Sequence, residues 1–179
     1  MSGGTVGAAA GTLTFMLGAP SALVPRVNSI LKHMGKRVVY MGDQGSGLCG
    51  KLANNYLLAL NNIATAEAMN LGMKLGLDPK TLAGMINSST GKCWPSEVNN
   101  PVPGVVVTSP ASRDYAGGFG VSLMKKDLGL AIDAADAIGI DMSKGLGHKC
   151  KEIYDACEQD EKCKGKDFSV VYRWLGGKE

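Results

Sequence analysis

The 179-residue sequence lacks three features that would each indicate a particular class of protein. No apolar run reaches the roughly 18 residues that a membrane-spanning helix requires, so we predict no membrane contact. The 19 basic and 16 acidic residues are interspersed and form no basic stripe, which argues against a nucleic-acid partner. The Gly/Ala-rich start has no basic flank, so the sequence shows no targeting segment as it stands.

Metal-binding and disulfide patterns are also missing. The five cysteines show no C-x-x-C spacing and are odd in number, so they indicate neither a zinc site nor a complete disulfide framework. A reducing compartment is therefore expected. His33 and His148 are far apart and have no ligand partner at metal spacing, so we predict no metal ion.

The clearest positive signal is the stretch from Gly45 to Leu75. The thirty residues after Gly47 contain no proline and place apolar residues on nearly every face, which predicts one long, buried central helix. Lys51 and Asn55 are four residues apart in its first turns, so their side chains lie on one face. They could form a catalytic pair, with the lysine as general acid/base and the amide orienting it or the substrate. Alternatively, the lysine extends to water and the amide bonds to nearby backbone.

Before this helix the sequence predicts a strand–helix–strand unit. Residues 2–11 are loop-like, residues 12–17 and 37–41 are short strand candidates, and a helical pattern lies between Pro20 and Gly35. Two strands alone bury little surface and leave their edges exposed. The unit therefore resembles the last part of a larger sheet.

After the long helix, helices alternate with one long irregular segment. A second helix is predicted from Asp78 to Ser88, because Asp-Pro is a typical helix start. Residues 91–119 are rich in proline and glycine, and a loop of that length is usually functional or disordered. Its aromatic residues argue against simple disorder. Further helices are predicted at 123–138, 142–157 and 168–175.

Three weaker candidate sites each have a plainer interpretation. The tripeptide Ser2-Gly3-Gly4 could bind an anion through unhindered amides and a hydroxyl, but such a segment is more often a flexible end. Lys126 with Asp127 could direct a cation inward from a helix, although most such pairs are solvated. Trp94 could form the wall of a pocket or a small core contact outside the main core.

Five motifs, in this order, resemble the β-hydroxyacid dehydrogenase family, and they cover essentially the whole chain. The last two resemble 3-hydroxyisobutyrate dehydrogenases most. The motifs are SGG followed by GAxxGTLTFM, the G-x-x-x-K-x-x-x-N formed by Gly47, Lys51 and Asn55, TAEAMNLGMKLGLDP, GKCWPSEVNNPVPGV and GGFGVSLMKKDLGLA.

The resemblance implies a mostly α fold. Residues 1–44 would be the C-terminal remnant of a Rossmann domain, and residues 45–179 an all-helical catalytic and dimerisation domain built around the long central helix, like the C-terminal domain of 6-phosphogluconate dehydrogenase. The family's glycine-rich nucleotide-binding half has no counterpart in this sequence. The chain is therefore expected to be a portion of a longer enzyme and inactive alone.

The resemblance also implies a reaction and roles for the candidate residues. Such enzymes oxidise 3-hydroxyisobutyrate to methylmalonate semialdehyde in valine breakdown, using NAD, and NADP is not excluded. Lys51 would be the general base and Asn55 would bind substrate beside it. The substrate carboxylate would be held by Ser2, Gly3 and Gly4, with Trp94 as a weaker pocket candidate, and the cofactor would be bound by Lys126, Asp127 and Phe119.

The partners and alternatives follow from the same resemblance. We expect a small 3-hydroxy acid as substrate, a homodimer or homotetramer formed through the helical domain, and the mitochondrial matrix as location. One alternative is a related enzyme that reduces tartronate or succinate semialdehyde. The other is a non-catalytic helical self-association module, which would have no need of Lys51, Asn55 and Lys126 together.

Overall fold

A computed structural model describes all residues, 1–179, and divides them into two compact units, Met1–Asn55 and Tyr56–Glu179. The structure is 58% helix and 9% strand. The predicted mostly helical fold with a small strand-containing start is therefore confirmed. No helix is both long enough and apolar enough to cross a bilayer.

The first unit contains the predicted strand–helix–strand arrangement. Strands β1 (Leu13–Gly18) and β2 (Gly35–Gly42) pair in parallel, and helix α2 (Val24–Leu31) connects them after a short 3₁₀ turn at Ser21–Leu23. A parallel pair needs such a crossover because its strands run in the same direction. Proline at the second position of α2 fits a helix start, where the amide has no partner in any case.

The prediction of a loop over residues 2–11 is wrong at its centre. Residues Gly4–Ala9 form a short helix, α1. Ser2 pairs with Thr14 in an antiparallel bridge, with Ser2 N donating to Thr14 O at 2.9 Å and Thr14 N donating to Ser2 O at 3.0 Å. The glycines and alanines of this segment give no pattern of apolar residues at helical spacing. A helix this short is not stable by itself, so contacts with the rest of the unit must hold it, and such contacts cannot be seen in the sequence.

The long helix α3 spans Ser46–Lys74, which confirms the predicted element. The prediction that it is buried on all sides is wrong, because Leu57 and Leu71 are 58% and 63% exposed. Within the second unit only one face of the helix is covered by other elements. That face carries Ala59, Asn62, Ile63, Ala66 and Met69, all buried.

The second unit is otherwise built from short helices. Asp78 caps helix α4 (Pro79–Asn87) by accepting a hydrogen bond from Thr81 N at 2.8 Å, as the Asp-Pro signal predicts. Short 3₁₀ turns lie at Pro110–Arg113, Met142–Lys144 and Phe168–Val170. The remaining helices are α5 (Trp94–Glu97), α6 (Val121–Ala137), α7 (Gly147–Gln159) and α8 (Val171–Trp174).

The core of the second unit packs α3, α6 and α7 against the C-terminal segment. At its centre Tyr154 is fully buried, and its hydroxyl accepts a hydrogen bond from Asn62 Nδ2 at 3.0 Å and donates to Ala59 O at 3.3 Å. Burial raises the pKa of Tyr154 well above its ordinary value. The largest fully buried side chains include Tyr115, Tyr154, Tyr172, Phe168, Met69, Met124 and Leu128.

Because two thiols of α7 are buried in this core, we predict that the core becomes less stable at alkaline pH. Burial raises the pKa of Cys150 to about 11 and that of Cys157 to about 12. In the unfolded chain a thiol titrates near pH 8.5, so above that pH the unfolded state loses protons first. The free energy of unfolding should therefore fall from about pH 9 upward, by roughly 1 kcal/mol per thiol for each pH unit.

Urea unfolding at pH 8, 9 and 10 measures this slope. Cys157→Ser keeps the size of the side chain and removes its titration, so it should reduce the loss between pH 9 and pH 10. An equal slope in the variant and in the original chain contradicts the assignment.

Candidate active site

The first turns of α3 lie very close to strand β1. A Cβ on Gly47 would stand 2.2 Å from the carbonyl oxygen of Met16, so only glycine permits this approach. Lys51 and Asn55 follow at four-residue intervals and therefore share the face of α3 on which Gly47 contacts the strand. The G-x-x-x-K-x-x-x-N spacing thus has a structural reason in the first unit.

Lys51 is half-buried, and Asn55 is 7% exposed with its Oδ1 accepting a hydrogen bond from Asn54 Nδ2 at 3.1 Å. The pKa of the Met1 amino group is lowered, first by burial and second by the charge of Lys51. The Lys51 ammonium therefore lies within electrostatic range of the start of the chain. Strand β1 also holds Ser2 through the bridge to Thr14, so Lys51 and the Ser2–Gly4 segment lie on elements that contact the same strand.

The tripeptide Ser2-Gly3-Gly4 has a defined conformation. Its first residue is held by the bridge to Thr14, and Gly3 and Gly4 have φ of 131° and 61°, a region that favours glycine. A Cβ on Gly3 would also stand 2.9 Å from Leu13 Cδ2. The flexible-end interpretation is therefore wrong, while an anion-binding role stays a prediction.

Trp94 opens α5 and is 50% exposed, so it is not the small core contact of the plainer interpretation. The loop beneath it is fixed by side chains. Ser96 Oγ donates to Asn87 Oδ1 at 2.7 Å, and Asn100 Nδ2 donates to Ser96 O at 3.0 Å. The indole therefore lies at the surface of the second unit, and hydrogen bonds fix the short helix that carries it.

Phe119 lies two residues before α6 begins. Its amide donates to Asp167 Oδ2 at 2.7 Å, and its ring packs edge-on against Phe168, with centroids 6.1 Å apart and an interplanar angle of 77°. Phe119 is half-buried, so part of its ring faces solvent.

Lys126 and Asp127 form a pair of unequal exposure on α6. The Lys126 side chain is 55% exposed and the Asp127 side chain 2%, with Lys126 Nζ 2.8 Å from Asp127 Oδ1. A solvated pair would expose both groups, so that interpretation is wrong. Instead, a buried carboxylate holds a cation at the surface. The neighbouring Lys125 pairs with Asp155 and Glu158 of α7, at 3.1 and 2.8 Å.

The candidate residues thus fall into two groups. Lys51 and Asn55 lie in the first unit with the Ser2–Gly4 segment, whereas Trp94, Phe119, Lys126 and Asp127 lie in the second. No three His, Cys, Asp or Glu side chains are arranged to hold a metal ion.

Sequence reasoning missed Asp167. It is 1% exposed and accepts hydrogen bonds from the segment before α6. Its only local signal is the Asp-x-Ser spacing with Ser169, which is typical of a helix cap.

Two family models match the chain. A model described as the NAD-binding domain of NADP-dependent 3-hydroxyisobutyrate dehydrogenase matches residues 45–175, and one described as the NAD-binding domain of 6-phosphogluconate dehydrogenase matches residues 1–42. The predicted cofactor class, NAD with NADP kept open, is therefore confirmed at the level of the family. The predicted domain boundary between residues 44 and 45 stays a prediction.

Sequence relatives agree with these models. A probable mitochondrial 3-hydroxyisobutyrate dehydrogenase of Dictyostelium discoideum is 51% identical over 98% of this chain and 54% of its own length. The mitochondrial 3-hydroxyisobutyrate dehydrogenase of Drosophila melanogaster is 48% identical over 96% of this chain and 52% of its own length. The chain thus spans about half the length of these relatives.

A solved structure has the same fold. The 3-hydroxyisobutyrate dehydrogenase of Mycobacterium tuberculosis, determined with L-serine, is 42% identical and superposes with a TM-score of 0.88. The match covers 97% of this chain and 58% of the mycobacterial chain.

Proposed function

Because the chain belongs to the β-hydroxyacid dehydrogenase family, on the branch of the 3-hydroxyisobutyrate dehydrogenases, we propose that it is the C-terminal part of an enzyme that oxidises 3-hydroxyisobutyrate to methylmalonate semialdehyde. NAD or NADP would accept the hydride. The observation that carries this proposal is the shared face of α3, on which Gly47 approaches β1 and Lys51 and Asn55 follow.

Lys51 acts as the general base. Gly47 brings the start of α3 against β1, and Ser2 pairs with Thr14 of the same strand, so we place the hydroxyl of a substrate held by Ser2–Gly4 within reach of the Lys51 side chain. The neutral amine of Lys51 takes the hydroxyl proton and becomes the ammonium as the hydride leaves the carbon. Asn55, one turn further along α3, orients the hydroxyl or the lysine through its carboxamide.

Ser2, Gly3 and Gly4 hold the substrate carboxylate. The positive φ values of the two glycines leave this backbone without side chains, so a carboxylate can approach the amides closely. The Ser2 hydroxyl adds a donor. We also assign Trp94 to substrate binding, because its half-exposed indole offers an apolar surface.

The second group of residues binds the cofactor. A nicotinamide dinucleotide is an anion, and the exposed Lys126 ammonium, held at 2.8 Å by buried Asp127, suits contact with such a ligand. Phe119 offers part of an aromatic ring just ahead of the same helix. When bound, the nicotinamide ring supplies the hydride acceptor.

We assign residues 1–44 to the end of a Rossmann domain and residues 45–179 to a helical domain that carries catalysis and dimerisation. The exposed leucines Leu57 and Leu71 of α3, with Leu75 directly after it, support a homodimer or homotetramer formed through that domain. The mitochondrial relatives support a mitochondrial location. The matrix as compartment and a place in valine breakdown are proposed from the family resemblance alone.

The proposal predicts that residues 1–179 alone do not turn over substrate, because the sheet of the first unit has only two strands, too few for a nucleotide-binding site. To supply a complete nucleotide-binding domain, we would join the N-terminal half of the Dictyostelium relative ahead of this chain and call the product the fusion enzyme. The absorbance of reduced cofactor measures turnover with 3-hydroxyisobutyrate. We expect activity from the fusion enzyme and none from the chain alone.

Two results would overturn parts of this proposal. If residues 1–179 alone turn over substrate or bind NAD tightly, the prediction that this part of the enzyme is inactive by itself is wrong. Faster turnover of tartronate- or succinate-semialdehyde-type substrates than of 3-hydroxyisobutyrate contradicts the assigned substrate.

A further inference from the structure

Asp167 has a buried carboxylate whose two oxygens bind two different parts of the second unit. Oδ1 accepts hydrogen bonds from Asn99 Nδ2 at 3.2 Å, Ser169 N at 3.0 Å and Ser169 Oγ at 2.6 Å. Oδ2 accepts from the amide of Phe119 at 2.7 Å. The side chain therefore connects the C-terminal segment to the residues that precede α6.

Backbone hydrogen bonds strengthen the same connection. Phe168 N donates to Phe119 O at 2.8 Å, and Val121 N donates to Lys166 O at 3.0 Å. Both the amide and the carbonyl of Phe119 are therefore held from the Lys166–Phe168 side. The first residue of α6, Val121, is fixed by the same strip of backbone.

Gly118 shows how closely the carboxylate approaches this turn. Its φ is 71°, and a Cβ at this position would stand 2.1 Å from Asp167 Oδ2 and 2.8 Å from Pro110 Cγ. Only glycine leaves room for the carboxylate beneath the turn. The glycine directly before Phe119 is thus explained by Asp167.

We infer that Asp167 is a positioning residue for the nicotinamide cofactor. It fixes Phe119 and the first turn of α6, and α6 carries Lys126 one and a half turns later, so displacement of this turn displaces both cofactor-binding groups. This inference rests on the proposed function, because that proposal assigns Phe119 and Lys126 to the cofactor. A residue that served folding alone would not affect the cofactor selectively.

Asp167→Asn tests the inference with almost no change of size. A carboxamide keeps one acceptor oxygen and replaces the other by an NH2 donor group, so it cannot accept from Phe119 N on one side and from Ser169 on the other. We expect the KM for NAD of the fusion enzyme to rise about tenfold, with kcat and the KM for 3-hydroxyisobutyrate changed less than about twofold. Ser169→Ala is the matched control, because it removes a partner of Oδ1 and leaves the bond to Phe119.

A second readout is independent of turnover. Amide hydrogen exchange at Phe119 in the chain of residues 1–179 should accelerate in Asp167→Asn and stay near the original rate in Ser169→Ala. Unchanged exchange overturns the positioning role. Faster exchange with an unchanged KM for NAD overturns the link to the cofactor while the proposed function stands. If the unmodified fusion enzyme has no activity, the proposed function fails, and the inference about the cofactor fails with it.

Discussion

Replacing Lys51 by alanine is expected to lower the kcat of the fusion enzyme by roughly 100-fold to 10,000-fold, the range typical for removal of a general acid/base. The half-buried lysine is the cation of the first unit that lies near the start of the chain, where the substrate carboxylate is proposed to bind. Without it, no positioned group accepts the hydroxyl proton as the hydride leaves. Turnover of 3-hydroxyisobutyrate at saturating NAD measures the loss.

Two further variants separate proton transfer from charge. Lys51→Arg keeps the positive charge, but a guanidinium does not deprotonate in proteins, so we expect a loss similar to that of the alanine variant. Lys74→Ala changes an exposed lysine at the end of the same helix and should leave kcat unchanged. Equal activity of Lys51→Ala and the unmodified enzyme would refute the role of Lys51.

The helix that carries Lys51 was predictable because its signals are local. The absence of proline and the continuous apolar pattern define α3, and the four-residue spacing places Lys51 and Asn55 on one face whatever surrounds them. Burial is not a local property. The sequence could not show that Leu57 and Leu71 face outward, because an apolar side chain looks the same whether or not a neighbour covers it.

Contacts between distant residues were the part that sequence could not supply. Ser2 pairs with Thr14 on the far side of helix α1, and Phe119 is held by Asp167, 48 residues further along the chain. Neither contact follows from a repeat or a spacing. The sequence also could not predict that Asp127 is buried beside the exposed Lys126, because a lysine next to an aspartate usually means that both side chains are solvated.

The long segment of residues 91–119 is ordered, as its aromatic residues indicate against its many prolines and glycines. Tyr115 is fully buried within it, and the Tyr115 hydroxyl donates to Pro101 O at 2.9 Å. Arg173 Cζ lies 5.0 Å from the centre of the Tyr115 ring. Tyr115 therefore anchors a segment that has little secondary structure of its own.

Removing that anchor should be among the most destabilising changes in the chain. Tyr115→Ala is expected to lower the free energy of unfolding by about 3–5 kcal/mol, because it leaves a large cavity and ends the contact with Arg173. Tyr115→Phe keeps the ring and loses only the bond to Pro101, so about 1 kcal/mol is expected. Urea unfolding of residues 1–179 compares the two.

The backbone at this position adds a constraint that sharpens the test. Tyr115 has a φ of 56°, a region in which residues other than glycine are strained, so the ring must hold the backbone against that cost. Tyr115→Gly relieves the strain and should be less destabilising than Tyr115→Ala, although it removes more atoms from the core. If glycine is instead the more destabilising of the two, cavity volume governs the site and the strained backbone does not.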